Sequence, residues 1–300
     1  MRATLLLLSV CLACSPKRIA LNGVADALSS TGDGGAFARD DDPELVAQAV
    51  PFALKTMESL SDSLDDHVGL RLAMARGFTQ YGYAFVQQSA VETLEGDKQK
   101  RALERASRLY LRARAYGLDG LKLAHGVTEA QLRGSEAERT AALAKLTRGD
   151  VPLLYWTFVP WAAAIAANKR NLELVGDVPV VAAMLDRALA LDESYDLGAL
   201  HEFAITFDSA RPEGTTPEKQ KQHFERAQAL AKGEKISALV TYAESVLAPA
   251  QRKKEFNDLL NQAAKFDVDQ PKARNQRLAN VLAQRHAAYL LAHQGDLFSD

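Results

Sequence analysis

Residues Gly77 to Val91, GFTQYGYAFVQQSAV, run for fifteen positions without a charged side chain, in a protein that is 25% charged. Helix-forming sequence precedes them from Val68 to Arg76 and nothing between breaks the period, so one long helix is expected over Val68–Glu92. Gly77, Tyr81, Ala84 and Gln88 share one stripe of that helix, and Phe78, Gly82, Phe85 and Ser89 share a second. A helix that is apolar on more than one side has to be covered by neighbours, so the fold must build a helical layer around it. The segment also carries Thr79, Gln80, Gln87, Gln88 and the phenols of Tyr81 and Tyr83. Buried amides and phenols need hydrogen-bond partners from protein, water or a ligand. Two readings follow: a central packing helix whose polar groups are satisfied internally, or a helix lining a ligand tunnel.

The rest of the chain supplies the layer. Leu and Ala dominate, the alternation that marks strands is hard to find, and 47% hydrophobic content over 300 residues is ample for a large core. The expected class is all-α. A formal charge of −2 leaves no electrostatic footprint for nucleic acid. Both cysteines, Cys11 and Cys14, fall in the first fourteen residues, so the body has no pair for a disulfide and no thiol cluster for a metal.

The N-terminus reads as an export signal. Met1-Arg2 is a short positive region, and Ala3–Ala13 is an apolar stretch too short to span a bilayer. Leu12-Ala13-Cys14 resembles the end of a bacterial lipobox, with Cys14 as the lipid-attachment residue. Cys11, three positions earlier, departs from the usual aliphatic residue. Ser15, in place of aspartate, points to the outer membrane by resemblance to the usual sorting rule. The expected organisation is a signal peptide over 1–13, a lipidated tether over 14–38 with a short helix near Ile19–Leu28, and a helical body over 39–300. Asp40-Asp41-Asp42-Pro43-Glu44 has the composition of a helix start, not the spacing of a calcium loop.

Beyond that start the chain reads as paired helices. Gly96–Ala115 is amphipathic, with Gly117 and Gly120 expected to mark its end. A second uncharged run, Val151–Asn168, holds Tyr155, both tryptophans (Trp156 and Trp161) and Phe158. A buried helix kinked at Pro160 is preferred to a transmembrane span, because the run is short, broken by proline and rich in alanine. The two runs together hold eight of the 21 aromatics, which suggests that they face each other or a shared cavity. A repeat is also visible. Ala106-Tyr110-Ala113, Leu185-Ala188, Phe224-Ala227 and Leu260-Ala263 match the second helix of a tetratricopeptide hairpin, with trailing alanines at intervals of 75, 39 and 36. A compact tetratricopeptide-like array of helix hairpins, an α-solenoid, is therefore expected. The first-helix signature is largely missing, which leaves a non-repetitive helical array as the alternative.

No catalytic constellation emerges. The six histidines include no HExxH, and His286 and His293 share a helical face without a third ligand. His201-Glu202 beside Phe203 is the most notable polar pair outside the uncharged runs; its imidazole could meet a carboxylate ligand or serve a hairpin contact. No enzyme activity, cofactor or metal is expected.

The lipobox, DDDPELVAQAVPFALKTMESL, GFTQYGYAFVQQ, RASRLYLRARAYGL, GDVPLLYWTFVPWAAAIAANK and LANVLAQRHAAYLLAHQGDLF together resemble the T-component family of tripartite ATP-independent periplasmic (TRAP) transporters, over about residues 36–298. The resemblance implies a periplasmic lipoprotein of tetratricopeptide-like hairpins that forms homotrimers and docks the transporter's solute-binding protein. It also implies a tunnel in each protomer for an apolar or amphipathic ligand, organic acids included. By matching motif, Gln80, Tyr81, Tyr83, Phe85, Gln87, Tyr155, Trp156 and Trp161 would line or border that tunnel, with His201 the further candidate.

Overall fold

The computed structural model describes residues 16–29, 35–211 and 214–298, which form α-helices with short 3-10 and π-helical turns and no strand. The signal-peptide stretch and Cys14 lie outside the described residues. Helix α1 (Pro16–Ser29) occupies much of the expected tether and packs on α3, with Ala25 fully buried and Asp26 3.1 Å from the His67 imidazole. α2 (Pro43–Ser61) starts where the acidic run predicts: the Asp42 carboxylate accepts the Leu45 N–H at 2.9 Å, and Pro43 and Glu44 fill the first turn.

The long helix expected over Val68–Glu92 is present in three parts. α3 (Val68–Tyr81) passes into a π-helical segment, Gly82–Gln88, and resumes as α4 (Ser89–Thr93). α5 (Gly96–His125) then runs straight through Gly117 and Gly120 and stops at Gly126, the residue with left-handed φ of 62°. The two earlier glycines are packing positions, not terminators. A Cβ at Gly117 would stand 2.9 Å from the Thr157 Cα, so only glycine lets the two helix backbones approach this closely. α6 (Glu129–Arg133) and α7 (Glu136–Ala144) each begin with a reciprocal capping box.

α8 (Val151–Ala167) is the second uncharged run. It is one continuous helix that includes Pro160 and packs on α5 and α10. With the 3-10 turn before it, the stretch Arg148–Ala167 is long and apolar enough to cross a membrane, but 61% of its apolar part is buried inside the protein body. α9 (Leu172–Val175), α10 (Val178–Asp192), α11 (Tyr195–Phe207), α12 (Pro217–Ala231) and α13 (Ser237–Tyr242) follow. α13 continues as a second π-helical segment, Ala243–Leu247, before α14 (Lys253–Ala264) and α15 (Arg277–Ala292). The alanines behind the repeat, Ala113, Ala188, Ala227 and Ala263, are all buried.

The first and last parts of the body meet. The Leu278 N–H donates to the Ala38 carbonyl at 3.0 Å, Arg277 pairs with Asp41 at 2.7 Å and Arg285 pairs with Glu44. One turn beyond Arg285 on α15, the Tyr289 hydroxyl donates to the Val91 carbonyl at 3.3 Å. Three larger apolar clusters result: one between α1, α2, α3 and α5, one around α8 and α10, and one between α13, α14 and α15. They do not merge into a single core, and the space where they meet is the main cavity.

Candidate functional site

The cavity has a volume of about 750 Å³. Leu54, Met57 and Ala73 line it from the first cluster, Tyr195 from the second, and Val240 and Ala283 from the third. Both π-helical segments lie on its wall and supply Tyr83, Phe85, Gln88 and Glu244. π-turns are rare and concentrate at functional sites, because the wider turn redirects side chains that an α-turn would stack in register.

Polarity changes along the walls. On α15, Leu278, Leu282 and His286 follow one another at a spacing of four, so one stripe runs from apolar to charged. On α3 and its continuation, Ala73, Gly77, Gln80 and Tyr83, at spacings of four, three and three, run from apolar to polar. Val50, Leu54 and Met57 of α2 complete the apolar part. The polar part draws Glu202 from α11, Lys235 from the turn before α13, Glu244 from the second π segment and His286 from α15.

The charges there are organised in pairs. Lys235 Nζ lies 3.0 Å from Glu202 Oε2, which also accepts the Ser237 hydroxyl at 2.8 Å. Burial works against the Lys235 charge, but Glu202 and then Asp196 outweigh it and hold the ammonium above its ordinary pKa. His286 sits between two carboxylates, with Nδ1 2.7 Å from Glu92 and Nε2 3.1 Å from Glu244. With an acceptor on each nitrogen, both must carry a proton. Burial opposes this; the bonds to Glu244 and Glu92 prevail and raise the pKa to about 9. The Tyr83 phenol is pushed up, first by burial and then by Glu244, Glu202 and Glu92. Tyr83 is nevertheless 51% exposed. The two observations agree if its accessible surface faces the cavity, with protein rather than bulk water around it.

The wall near Tyr195 is strained. Asp196 and Leu197 have φ of 43° and 57°, and Gly198 follows at 88°. Left-handed backbone costs a non-glycine residue about 1–2 kcal/mol, so the surroundings hold this turn in place. Asp196 and Leu197 both border the cavity, while a Cβ on Gly198 would meet the Ala227 Cα at 3.1 Å.

Of the positions singled out from the sequence, Gln80, Tyr81, Tyr83, Phe85 and Trp156 border this cavity. Gln87 does not; its side-chain Oε1 accepts the buried Tyr110 hydroxyl at 2.7 Å. Tyr155 stands behind the wall, with its ring 4.9 Å from Trp156 and 5.3 Å from Tyr195. Trp161 is fully buried elsewhere: its indole donates to Asp177 at 2.9 Å and the Arg114 guanidinium lies 4.0 Å from the ring centre. His201 belongs to the contact of α11 with α12, where it meets Glu193 at 3.2 Å and His223 at 2.9 Å. The neighbouring Glu202 is the member of that pair that reaches the cavity, because adjacent residues on a helix point about 100° apart. Sequence reasoning missed Glu202, Lys235, Glu244 and His286 as a group. Scattered charges on four elements carry the same signature as solvated faces; the one available signal was a histidine on the otherwise apolar stripe of α15.

The described residues thus form an all-helical body around an amphipathic cavity. The sequence pattern of the TRAP transporter T-component family matches residues 39–298, and the chain belongs to that family. The family is one of transporter components, not of enzymes. A protein of Treponema pallidum (strain Nichols), described as an uncharacterized protein, is 32% identical over 308 residues, covering 97% of this chain and 95% of that relative.

Proposed function

We propose that the protein is a periplasmic subunit of a TRAP-type transporter that binds or passes a small apolar or amphipathic molecule through its helical body, together with the transporter's solute-binding protein. Lipidation at Cys14 would hold it at a membrane, the outer membrane by its sorting residue. Homotrimers and a tetratricopeptide-like hairpin array complete the reading; the spacing of the buried alanines supports the array. The observation that carries the functional reading is the cavity itself: about 750 Å³, within the range of small-molecule sites, with an apolar wall that grades into a polar one. A scaffold with a filled interior fits less well, because Tyr81 and Trp156 both border open space.

The test pairs a ligand readout with a partner readout. Native mass spectrometry of the purified protein is expected to show a co-purified small molecule and the mass of the assembly. Tyr83→Ala and Trp156→Ala are each expected to abolish ligand-induced thermal stabilisation and to weaken capture of the solute-binding protein. An unchanged ligand response in both variants removes the cavity from the function.

A further inference from the structure

The chemistry of the cavity's polar part specifies the head group of the ligand, granted the ligand-binding reading above. The cations that line it are already engaged. Lys235 is held by Glu202, His286 by Glu92 and Glu244, and Arg76 has its own interaction within the chain. Carboxylates outnumber cations on the wall, with Asp196, Glu202, Glu234 and Glu244 against Arg76, Lys235 and His286. An incoming carboxylate would have to take Lys235 or His286 from its partner and leave a half-buried glutamate, Glu202 or Glu92, uncompensated, which is unfavourable. An incoming ammonium would find Glu202 and Glu244 occupied and three cations in the same space.

The unoccupied hydrogen-bonding capacity lies instead on neutral groups. The Tyr83 hydroxyl, the Trp156 indole N–H and the amides of Gln80 and Gln88 all border the cavity, and none has a hydrogen-bond partner among the described residues. Tyr83 stays a protonated donor at any physiological pH, since burial and the nearby glutamates both oppose its ionisation. We propose that the cavity takes an uncharged amphiphile, with its tail beside Leu54, Leu278 and Leu282 and a hydroxyl- or ester-bearing head bonded by Tyr83, Trp156 and the two glutamines, and that it rejects the carboxylate of the same chain length. A site built around hydrogen bonds to a neutral head discriminates by what it would leave unpaired as much as by what it binds.

Monolaurin, laurate and dodecylamine share a chain length and differ in head charge. Binding of each to the full chain, below micellar concentration, can be followed by calorimetry and by thermal shift. Monolaurin is expected to bind at least ~10-fold more tightly than either charged analogue, which corresponds to about one neutral hydrogen bond or more. Tyr83→Phe, which keeps the ring, is expected to weaken monolaurin ~5–10-fold and leave laurate unchanged. Glu202→Ala strips Lys235 of its partner and is expected to strengthen laurate ~10-fold with little effect on monolaurin. Laurate or dodecylamine binding as tightly as monolaurin overturns the neutral head group and leaves the cavity reading standing. Binding of none of the three, with no co-purified molecule by mass spectrometry, removes the cavity reading and this inference with it.

Discussion

The two uncharged helical runs look alike in composition and meet opposite fates. In α8, Leu154, Thr157, Phe158 and Trp161 are fully buried, with α5 on one side and α10 on another. Two of its polar groups have protein partners, the Thr157 hydroxyl donating to the Leu153 carbonyl at 2.6 Å and the Trp161 indole to Asp177, while Trp156 reaches the cavity from this run. The run through α3 and its π-turn has α5 on one side and the cavity on the other. There Thr79, Tyr81 and Gln87 find partners in the chain, while Gln80, Tyr83 and Gln88 face open space. Freedom from charge therefore reports only that a helix is kept from bulk water. Whether its other side meets packed side chains or a cavity depends on which helices close over it.

That contrast can be broken or sharpened by experiment. Trp161→Ala is expected to cost about 3–5 kcal/mol in urea unfolding, because it empties a filled core site and leaves the Asp177 carboxylate with Arg133 but without its indole donor. A loss below about 1 kcal/mol would mean that α8 is no more tightly packed than the cavity wall. The next effect concerns His286, which bridges both sides of the polar wall. Its folded-state pKa of about 9 exceeds the unfolded value of about 6.5, so its contribution is complete below pH 6.5 and is lost as pH rises through 9. The shift corresponds to roughly 3 kcal/mol, and urea midpoints of the protein and of His286→Asn are expected to converge between pH 6.5 and 10. A constant gap across that range would show that His286 is not held charged.

Two glycines make a finer comparison. Gly117→Ala places a methyl group against the Thr157 backbone in the packed region and is expected to destabilise by about 1–3 kcal/mol. Gly77→Ala meets the end of the Leu54 side chain at 2.7 Å, but Leu54 borders the cavity and can swing into it. Its cost is expected to stay under about 1 kcal/mol, offset in part by better helix propensity. The smallest stability change is expected from Tyr83→Ala, within about 1 kcal/mol, since half of that side chain touches no protein. Thermal melts of the three variants side by side check the ranking, and equal losses at Gly77 and Gly117 would erase it.

Much of the architecture was legible in the residues. The cap at Asp42, the helical class, the long helix after Val68 and the burial of the repeat alanines all follow from period, propensity and turn chemistry, which act over a few residues. The site was legible by half. Tyr83 and Trp156 stood out because rings and amides without charges are unusual, but Trp161 carried the same signal and packs into a core. His286 carried a faint signal as a histidine on an apolar stripe and Glu202 showed only as the neighbour of His201, while Lys235 and Glu244 carried none, because a charge beside a cavity and a charge beside solvent leave the same pattern. The π-turns and the left-handed Asp196–Gly198 bend were invisible for a related reason: each is held by what packs on it, not by its own preference.

By itself, then, the order of amino acids determined that this chain is helical, where its helices begin, and which faces avoid water. Tertiary structure alone decided that three apolar clusters stop short of merging, and that four charged residues far apart in the chain gather in the gap. Local periodicity encodes the direction away from solvent; it holds no record of the distance to the helix opposite.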